Sequence, residues 1–121
     1  GGLEAVGLLG ENVRHCEDKC PVAEFLDSLP NKLGAKAIRD LDILSEKGNE
    51  LREPYSKPIE GGIFELRISA SRDEARIFYF FLIENKIILT NGFIKKTQKT
   101  PRKEINRALE YKADYERRCL K

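Results

Sequence analysis

Apolar residues alternate with polar ones in three consecutive runs between Gly61 and Pro101. β-Branched and aromatic residues dominate each run, and the polar breaks at 69–74 and 84–86 contain residues typical of turns. Short breaks favour antiparallel neighbours, so the pattern predicts a three-stranded meander. The middle run, 75–82, is apolar on both faces over most of its length, which predicts a central strand covered on both sides.

A helical period replaces the alternation before the sheet. Pro21 begins one predicted helix and Pro30 ends it. Asn31 is predicted to cap a second helix, which stops at Gly48 and Asn49. Residues at helical spacing give the two helices an apolar face: Val22, Phe25, Leu26, Leu29, Leu33, Ala37, Ile38, Leu41 and Leu44. These faces predict a helical hairpin that packs on the sheet.

A third helix is predicted after the sheet. Thr100 caps it, Pro101 takes its first position, and it runs to about Arg118. Its inner face is predicted to contain Ile105, Ala108, Leu109, Lys112, Tyr115 and Cys119, because the aliphatic stem of Lys112 is tolerated there.

The two remaining stretches have weaker patterns. The segment 53–58 contains two prolines and is predicted to be an extended connection into the sheet. Residues 1–19 show no clear period, but Leu8, Leu9 and Val13 indicate a short strand that pairs with the sheet. The chain is therefore predicted to be an α+β protein with one domain over residues 20–121.

Composition narrows the class of protein. A chain of 121 residues has the size of one domain and can bury roughly two thirds of its unfolded surface, so neither a metal nor a disulfide is needed for folding. No cofactor is expected. Cys16, Cys20 and Cys119 have the spacing of neither a disulfide framework nor a zinc site, and free thiols fit a reducing cytoplasm. No apolar stretch approaches the ~20 residues of a membrane span, and no signal peptide is expected.

The net charge of +2 hides a strong asymmetry along the chain. Residues 1–60 carry 8 Lys/Arg and 12 Asp/Glu, residues 61–91 carry 4 of each, and residues 92–121 carry 10 and 4. A basic tail is often only a solvated helix face. Here it follows a sheet that already carries cations at its ends, which favours an anionic partner such as nucleic acid.

Several short motifs occur in a fixed order: Pro21-Val22, Glu53-Pro54-Tyr55-x-Lys57, Gly62-x-x-Glu65-Leu66-Arg67, Arg76-Ile77-Phe78-Tyr79, and Gly92-Phe93-x-Lys95-Lys96-Thr97-Gln98-Lys99-Thr100-Pro101 before Glu104 and Ala108. With this set the chain resembles the RelE/HigB superfamily of toxin components, specifically its phage-derived HigB-like branch, over roughly residues 20–118. The resemblance implies a helical hairpin on a twisted, mainly antiparallel sheet with a C-terminal helix. It also implies cleavage of messenger RNA, usually on the translating ribosome, and inhibition by a cognate antitoxin, often a helix-turn-helix protein.

Cleavage of RNA without a metal uses the 2′-hydroxyl as nucleophile and requires positive charge around the phosphorus. By alternation, Arg67 and Arg76 share one face of the sheet with Glu65. Arginine binds phosphate bidentately, and the resemblance favours a catalytic role for this set. The alternative is a cross-strand salt bridge between Glu65 and Arg76, worth about 1 kcal/mol or less if exposed.

The basic run after the last strand supplies further candidates. Lys95 and Lys96 are predicted to bind phosphate or transfer a proton, because the run continues beyond them and the family motif includes the pair. The predicted RNA contacts are Lys57, Phe93, Lys99, Arg102 and Lys103. Phe93 can stack on a base, with core packing as its alternative. Tyr79 alternates to the face opposite Arg76 and is expected in the core.

One departure from the family concerns the proton-transfer group. Many relatives have a histidine just before the Gly-Phe pair, where this chain has Asn91, which does not titrate near neutrality. Three alternatives stay open: a lysine transfers the proton, Glu65 does so, or this member is slow or inactive. The function hypotheses are a ribosome-dependent endoribonuclease and a non-catalytic binding module on the same fold. A gyrase poison, from a neighbouring branch, is disfavoured by the basic set.

Overall fold

The computed structural model describes residues 3–6, 20–82 and 86–119. In chain order the elements are β1 (Leu3–Ala5), α1 (Pro21–Ser28), α2 (Asn31–Lys47), a 3₁₀ turn (Gly48–Glu50), β2 (Ser56–Glu60), β3 (Ile63–Ala70), β4 (Asp73–Phe81), β5 (Ile87–Ile94) and α3 (Arg102–Cys119). The α+β class is confirmed. The arrangement of the first two helices as a hairpin stays a prediction.

The five strands form one mixed sheet in the order β1-β5-β4-β3-β2. The meander of β3, β4 and β5 is confirmed, and all of its pairings are antiparallel. β1 joins the outer edge of β5 in parallel, with Leu3 opposite Ile87. The residues on which the N-terminal strand was predicted, Leu8, Leu9 and Val13, lie outside the described residues.

β4 is central and buried on both faces, because each face is covered by a different set of helices. One core lies between the sheet and the helices α1 and α2, and includes Leu33, Leu44, Ile77 and Tyr79. The other lies between the sheet and α3, and includes Phe78 and neighbours from β5 and α3. Alternate side chains of β4 therefore pack into two different hydrophobic layers. No helix in the described part of the chain is long and apolar enough to cross a membrane.

Three local predictions are corrected by the structure. The connection at 53–58 contains a strand, since Ser56–Glu60 pairs with β3 and shifts register between Pro58 and Glu60. Asn31 does not cap α2 but is its first residue, with Pro30 in the capping position. Ile38, predicted on the apolar face of α2, is 53% exposed.

The start of α3 also differs from its prediction. α3 begins at Arg102, and the carbonyl of Pro101 accepts the backbone amides of Glu104 and Ile105. The Thr100 hydroxyl, predicted to cap the helix, instead donates a hydrogen bond to Glu65 across the molecule. Thr100 therefore connects the beginning of α3 to β3.

Candidate functional site

A buried carboxylate and two arginines lie side by side on β3 and β4. Arg67 is the register partner of Arg76, and Glu65 precedes Arg67 by two residues on the same face. The Glu65 Oε1 atom lies 3.4 Å from Arg67 Nε and 3.5 Å from Arg76 Nε. Its Oε2 atom accepts the Thr100 hydroxyl at 2.8 Å. The cross-strand salt bridge, considered as an alternative from the sequence, is therefore present.

The two arginines differ in exposure, and this separates their roles. Arg76 is 5% exposed; its Nη1 donates to the Ala75 carbonyl at 3.1 Å and its Nη2 to Glu74 Oε1 at 2.9 Å. Its Nε is buried and has no hydrogen-bond acceptor within the described residues. The Arg67 side chain keeps 31% of its surface exposed. Arg67 is therefore the member of the pair that can contact a ligand directly.

Glu65 is the buried residue that contacts both arginines of the cluster. It is 1% exposed, and both of its oxygens face groups of the protein. A buried carboxylate between two guanidinium groups offsets their charge and fixes their positions. This geometry suits a positioning residue for Arg67 and Arg76, and it leaves Glu65 without an open path to a substrate.

Two clefts open beside the cluster. The first has a volume of about 280 Å³ and is lined by Lys36, Pro54, Tyr55, Arg67, Ser69, Glu74 and Arg76. The second has a volume of about 410 Å³ and is lined by Glu74, Lys95, Lys96, Thr97 and Gln98. Glu74 belongs to both, so the clefts are neighbours. The first mixes aromatic, polar and charged groups, whereas the second is dominated by two lysines.

All five lysines predicted for the site are available for an anionic ligand. Lys57, Lys95, Lys96, Lys99 and Lys103 make no ion pair with any other residue that the structure describes. Lys57 faces the same side of the sheet as Glu65, its register partner. Lys95 is half-buried and the other four are exposed. Unpaired cations attract phosphate without first breaking a salt bridge.

Arg102 differs from these lysines because it is already paired. Its two terminal nitrogens lie 2.6 and 2.8 Å from the carboxylate oxygens of Glu60. The hydrogen bonds from Arg102 lower the pKa of Glu60, and Glu60 in turn raises the pKa of Arg102. Both groups are exposed, so the pair ties the end of β2 to the start of α3 without isolating Arg102 from solvent.

Phe93 and Tyr79 both lie in the core. The Phe93 ring is buried against Phe78, with 5.6 Å between the ring centroids, so core packing describes its position better than base stacking. Tyr79 is buried on the opposite face, where its hydroxyl is hydrogen-bonded to the Ser56 hydroxyl. Burial raises the pKa of Tyr79, and the hydrogen bond with Ser56 only partly opposes this.

Asn91 is part of a buried polar network rather than of the clefts. Its amide nitrogen donates to the backbone and side-chain oxygens of Glu104, at 3.3 and 3.2 Å, and its carbonyl oxygen accepts the Thr90 hydroxyl at 2.8 Å. Thr90 and Asn91 lie where the register of β4 and β5 shifts by an extra residue. The network joins β5 to α3 and gives Asn91 no access to a ligand.

Sequence reasoning missed three participants: Tyr55, Glu74 and Thr100. Glu74 lies just after a turn, where a carboxylate is ordinary, and its contact with Arg76 depends on the strand pairing. Thr100 had been assigned to helix capping. The only sequence signal for Tyr55 is its place in the motif that ends at Lys57. Within the described residues, no group of three His, Cys, Asp or Glu side chains could hold a metal ion.

A family model described as "Phage derived protein Gp49-like (DUF891)" matches residues 24–113, which is most of the chain and includes both clefts. A search of curated proteins finds no match.

Proposed function

The chain belongs to the Gp49-like family of phage-derived proteins, within the RelE/HigB-like toxin superfamily, and we propose that it is a toxin that cleaves messenger RNA on the ribosome. The family itself suggests a protein related to toxin–antitoxin pairs, with an antitoxin as partner. The proposal further assigns the chain to the HigB-like branch, to the cytoplasm, and to a helix-turn-helix antitoxin. The reaction needs no metal.

The observation that carries the proposal is the half-buried Arg67, which is held by buried Glu65 and lies near a cleft lined by the unpaired Lys95 and Lys96. A guanidinium fixed in this way can bind the scissile phosphate without reorganising as negative charge develops. Arg76 is buried next to Arg67, where it contributes positive charge while it stays paired to Glu74. Lys95 and Lys96, in the adjoining cleft, bind the neighbouring backbone.

The proposal assigns protonation of the leaving 5′-oxygen to a lysine, and the proton of the attacking 2′-hydroxyl passes to solvent water. Glu65 is buried and Asn91 is enclosed by Glu104, so neither reaches a substrate in this structure. Lys96 is exposed and lines the basic cleft, and an ammonium group there can protonate the leaving 5′-oxygen as the phosphate bond breaks.

A second candidate function rests on the enclosed Asn91. Without a titrating side chain at that position the same surface could bind an antitoxin or RNA and not cut it. The experiment that separates the two is primer extension on one messenger in a reconstituted bacterial translation reaction, with and without ribosomes. Cuts that require ribosomes support the toxin. Cuts without ribosomes contradict ribosome dependence, and no cuts from folded protein support the binding module.

The variants leave Arg76 in place, because replacing this buried side chain would disturb folding. Arg67→Ala with Lys96→Ala is expected to reduce cutting at least ~100-fold, as loss of transition-state charge stabilisation does. Arg39→Ala with Lys47→Ala, on α2, removes the same two residue types at exposed positions that make no ion pair within the described residues, and should cut like the unchanged protein. Equal cutting by both variants would remove Arg67 and Lys96 from the mechanism.

A further inference from the structure

The cleft of about 280 Å³ contains an aromatic side chain that the cleavage chemistry does not use. Tyr55 is 50% exposed, although it lines a cleft beside Arg67 and Ser69. Its backbone is fixed, since its carbonyl accepts the Arg67 amide at 2.8 Å and its own amide donates to the Arg52 carbonyl at 3.0 Å. The backbone of Tyr55 is therefore fixed beside the cleft, while about half of the residue's surface remains open to solvent.

Resting on the proposed function, we propose that this cleft is a nucleobase pocket for single-stranded RNA, in which the base stacks on the ring of Tyr55. Aromatic rings exposed beside cations are the usual stacking surface for unpaired bases. The volume is at the lower end of ligand pockets and suits one nucleotide. Pro54 supplies a second apolar surface beside the ring.

The polar groups of the cleft select which base it accepts. Glu74 uses Oε1 to bind Arg76, and its Oε2 makes no hydrogen bond within the described residues. A free carboxylate oxygen accepts hydrogen bonds from an exocyclic amino group and repels a carbonyl oxygen. The Ser69 hydroxyl, also without a partner in the described part of the chain, can donate or accept. Adenine, cytosine and guanine each carry an exocyclic amino group on their pairing edge and uracil does not, so the pocket disfavours uracil.

Because Glu74 lines both clefts, one RNA strand can run from the first cleft into the second. Glu74 lines both the Tyr55 pocket and the basic cleft with Lys95 and Lys96, so the two adjoin. Arg67 lines the base pocket and is exposed enough to bind the phosphate attached to that base. A strand that follows this path places one selected base next to the phosphate-binding arginine.

The test measures binding rather than cleavage. Fluorescently labelled homohexamers of adenosine, cytidine and uridine, with 2′-O-methyl groups to remove the nucleophile, are titrated with the purified protein and followed by anisotropy. The unchanged protein should bind the adenosine and cytidine oligomers more tightly than the uridine oligomer. Tyr55→Ala should weaken binding of each by about 5- to 150-fold, as loss of one stacked base worth ~1–3 kcal/mol does.

Three variants make the result specific. Tyr55→Phe keeps the ring and should bind like the unchanged protein. Glu74→Gln adds an amide donor for the uracil carbonyl and should reduce the preference against uridine. Ile38→Ala, at an exposed apolar position on α2, controls for nonspecific effects of removing surface.

Each outcome decides the pocket independently of catalysis. Equal binding by Tyr55→Ala and the unchanged protein overturns it, as does no measurable binding by the unchanged protein. A preference for uridine that Glu74→Gln leaves intact overturns the assigned base class. Loss of binding in Tyr55→Ala, together with no cutting on ribosomes by the unchanged protein, supports the pocket and rejects the cleavage function.

Discussion

Gly92 shows how closely single residues are constrained beside the site. A Cβ atom built there would lie 2.6 Å from Cε2 of Phe25 and 3.0 Å from the backbone oxygen of Arg76. The ring can turn aside, but the carbonyl belongs to the paired strand β4 and cannot. Glycine at this position therefore allows α1 to pack closely on β5.

Gly92→Ala is expected to reduce the free energy of unfolding by ~1–3 kcal/mol, the usual cost of overpacking. Gly34→Ala provides the matched control. Gly34 lies inside α2, and its added Cβ would be 3.8 Å from the Cβ of Leu29, an ordinary contact. This change should stabilise the protein by ~0.4–1 kcal/mol. Urea denaturation of both variants measures the difference, and equal stability would contradict the packing argument.

Glu65 is the second residue whose surroundings make a measurable prediction. Glu65→Gln keeps the shape but leaves Arg76 with Glu74 as its one remaining carboxylate among the described residues. Because the Glu65 contacts are 3.4–3.5 Å long and Glu74 remains, we expect a loss of ~1–3 kcal/mol in unfolding free energy, below that of a fully broken buried pair.

The control for Glu65 is Glu110→Gln, which removes a carboxylate that is exposed on α3 and has no ion pair within the described residues. Its unfolding free energy should change by no more than ~0.5 kcal/mol. If the two variants unfold at the same urea concentration, the charge of Glu65 does not hold the arginines.

Among the elements, the sequence predicted best those whose pattern is set by their own burial. β4 needs apolar residues on both faces, so its run identifies it and its central place. β2 was missed because it is short, contains Pro58 and buries only Ser56 fully. β2 is a strand because it pairs with β3, and the residues of β2 alone do not indicate this pairing.

In the candidate site too, features that depend on a strand's own residues were predicted, and features that depend on packing with other segments were not. Alternation placed Glu65, Arg67 and Arg76 on one face correctly, because that depends only on the strand period. The sequence could not predict that Arg76 is buried while Arg67 keeps about a third of its side chain exposed, since this depends on how neighbouring segments cover each of them. Tyr55 was missed for the same reason: its exposure beside Arg67 depends on β2, a strand that was not predicted.

The contacts that hold β1 on the molecule should contribute a stabilisation that depends on pH. Glu4 accepts a hydrogen bond from the Tyr115 hydroxyl at 2.6 Å and pairs with Lys86 at 3.1 Å. Partial burial raises the pKa of Glu4, but these two partners outweigh it and the net pKa is lowered. A carboxyl with a lowered pKa stabilises the fold above its ordinary pKa, and loses this stabilisation as the pH falls through the folded value.

Glu4→Gln should therefore cost about 1 kcal/mol or less in unfolding free energy at neutral pH. The difference from the unchanged protein should shrink as the pH falls below about 4.5, the ordinary pKa of the group. Urea denaturation across this range measures it. Glu50→Gln, at an exposed carboxylate without an ion pair in the described residues, should show no such trend. A difference that stays constant down to the acid limit would contradict the linkage.

Across the whole molecule, one sheet separates two hydrophobic layers and carries the candidate site at one end. The layer under α1 and α2 and the layer under α3 share β4 as their common wall. Residues from α2, the segment before β2, and the strands β3 and β4 then meet around the smaller cleft. β4 therefore contacts both hydrophobic layers and also contributes Glu74 and Arg76 to the cleft.

The parallel strand β1 has a consequence for how the molecule opens. It contributes three residues at an edge of the sheet, followed by the Val6 amide, which donates to the Leu89 carbonyl at 2.9 Å. Short edge segments open by themselves, whereas amides in a doubly covered strand exchange only when the whole protein unfolds. Hydrogen–deuterium exchange by NMR should show the Val6 amide exchanging well before those of Ile77 and Phe78. Equal protection would mean that β1 opens only with global unfolding. If the prediction holds, β5 exposes an unpaired edge for a small fraction of the time, while the remaining four strands stay intact.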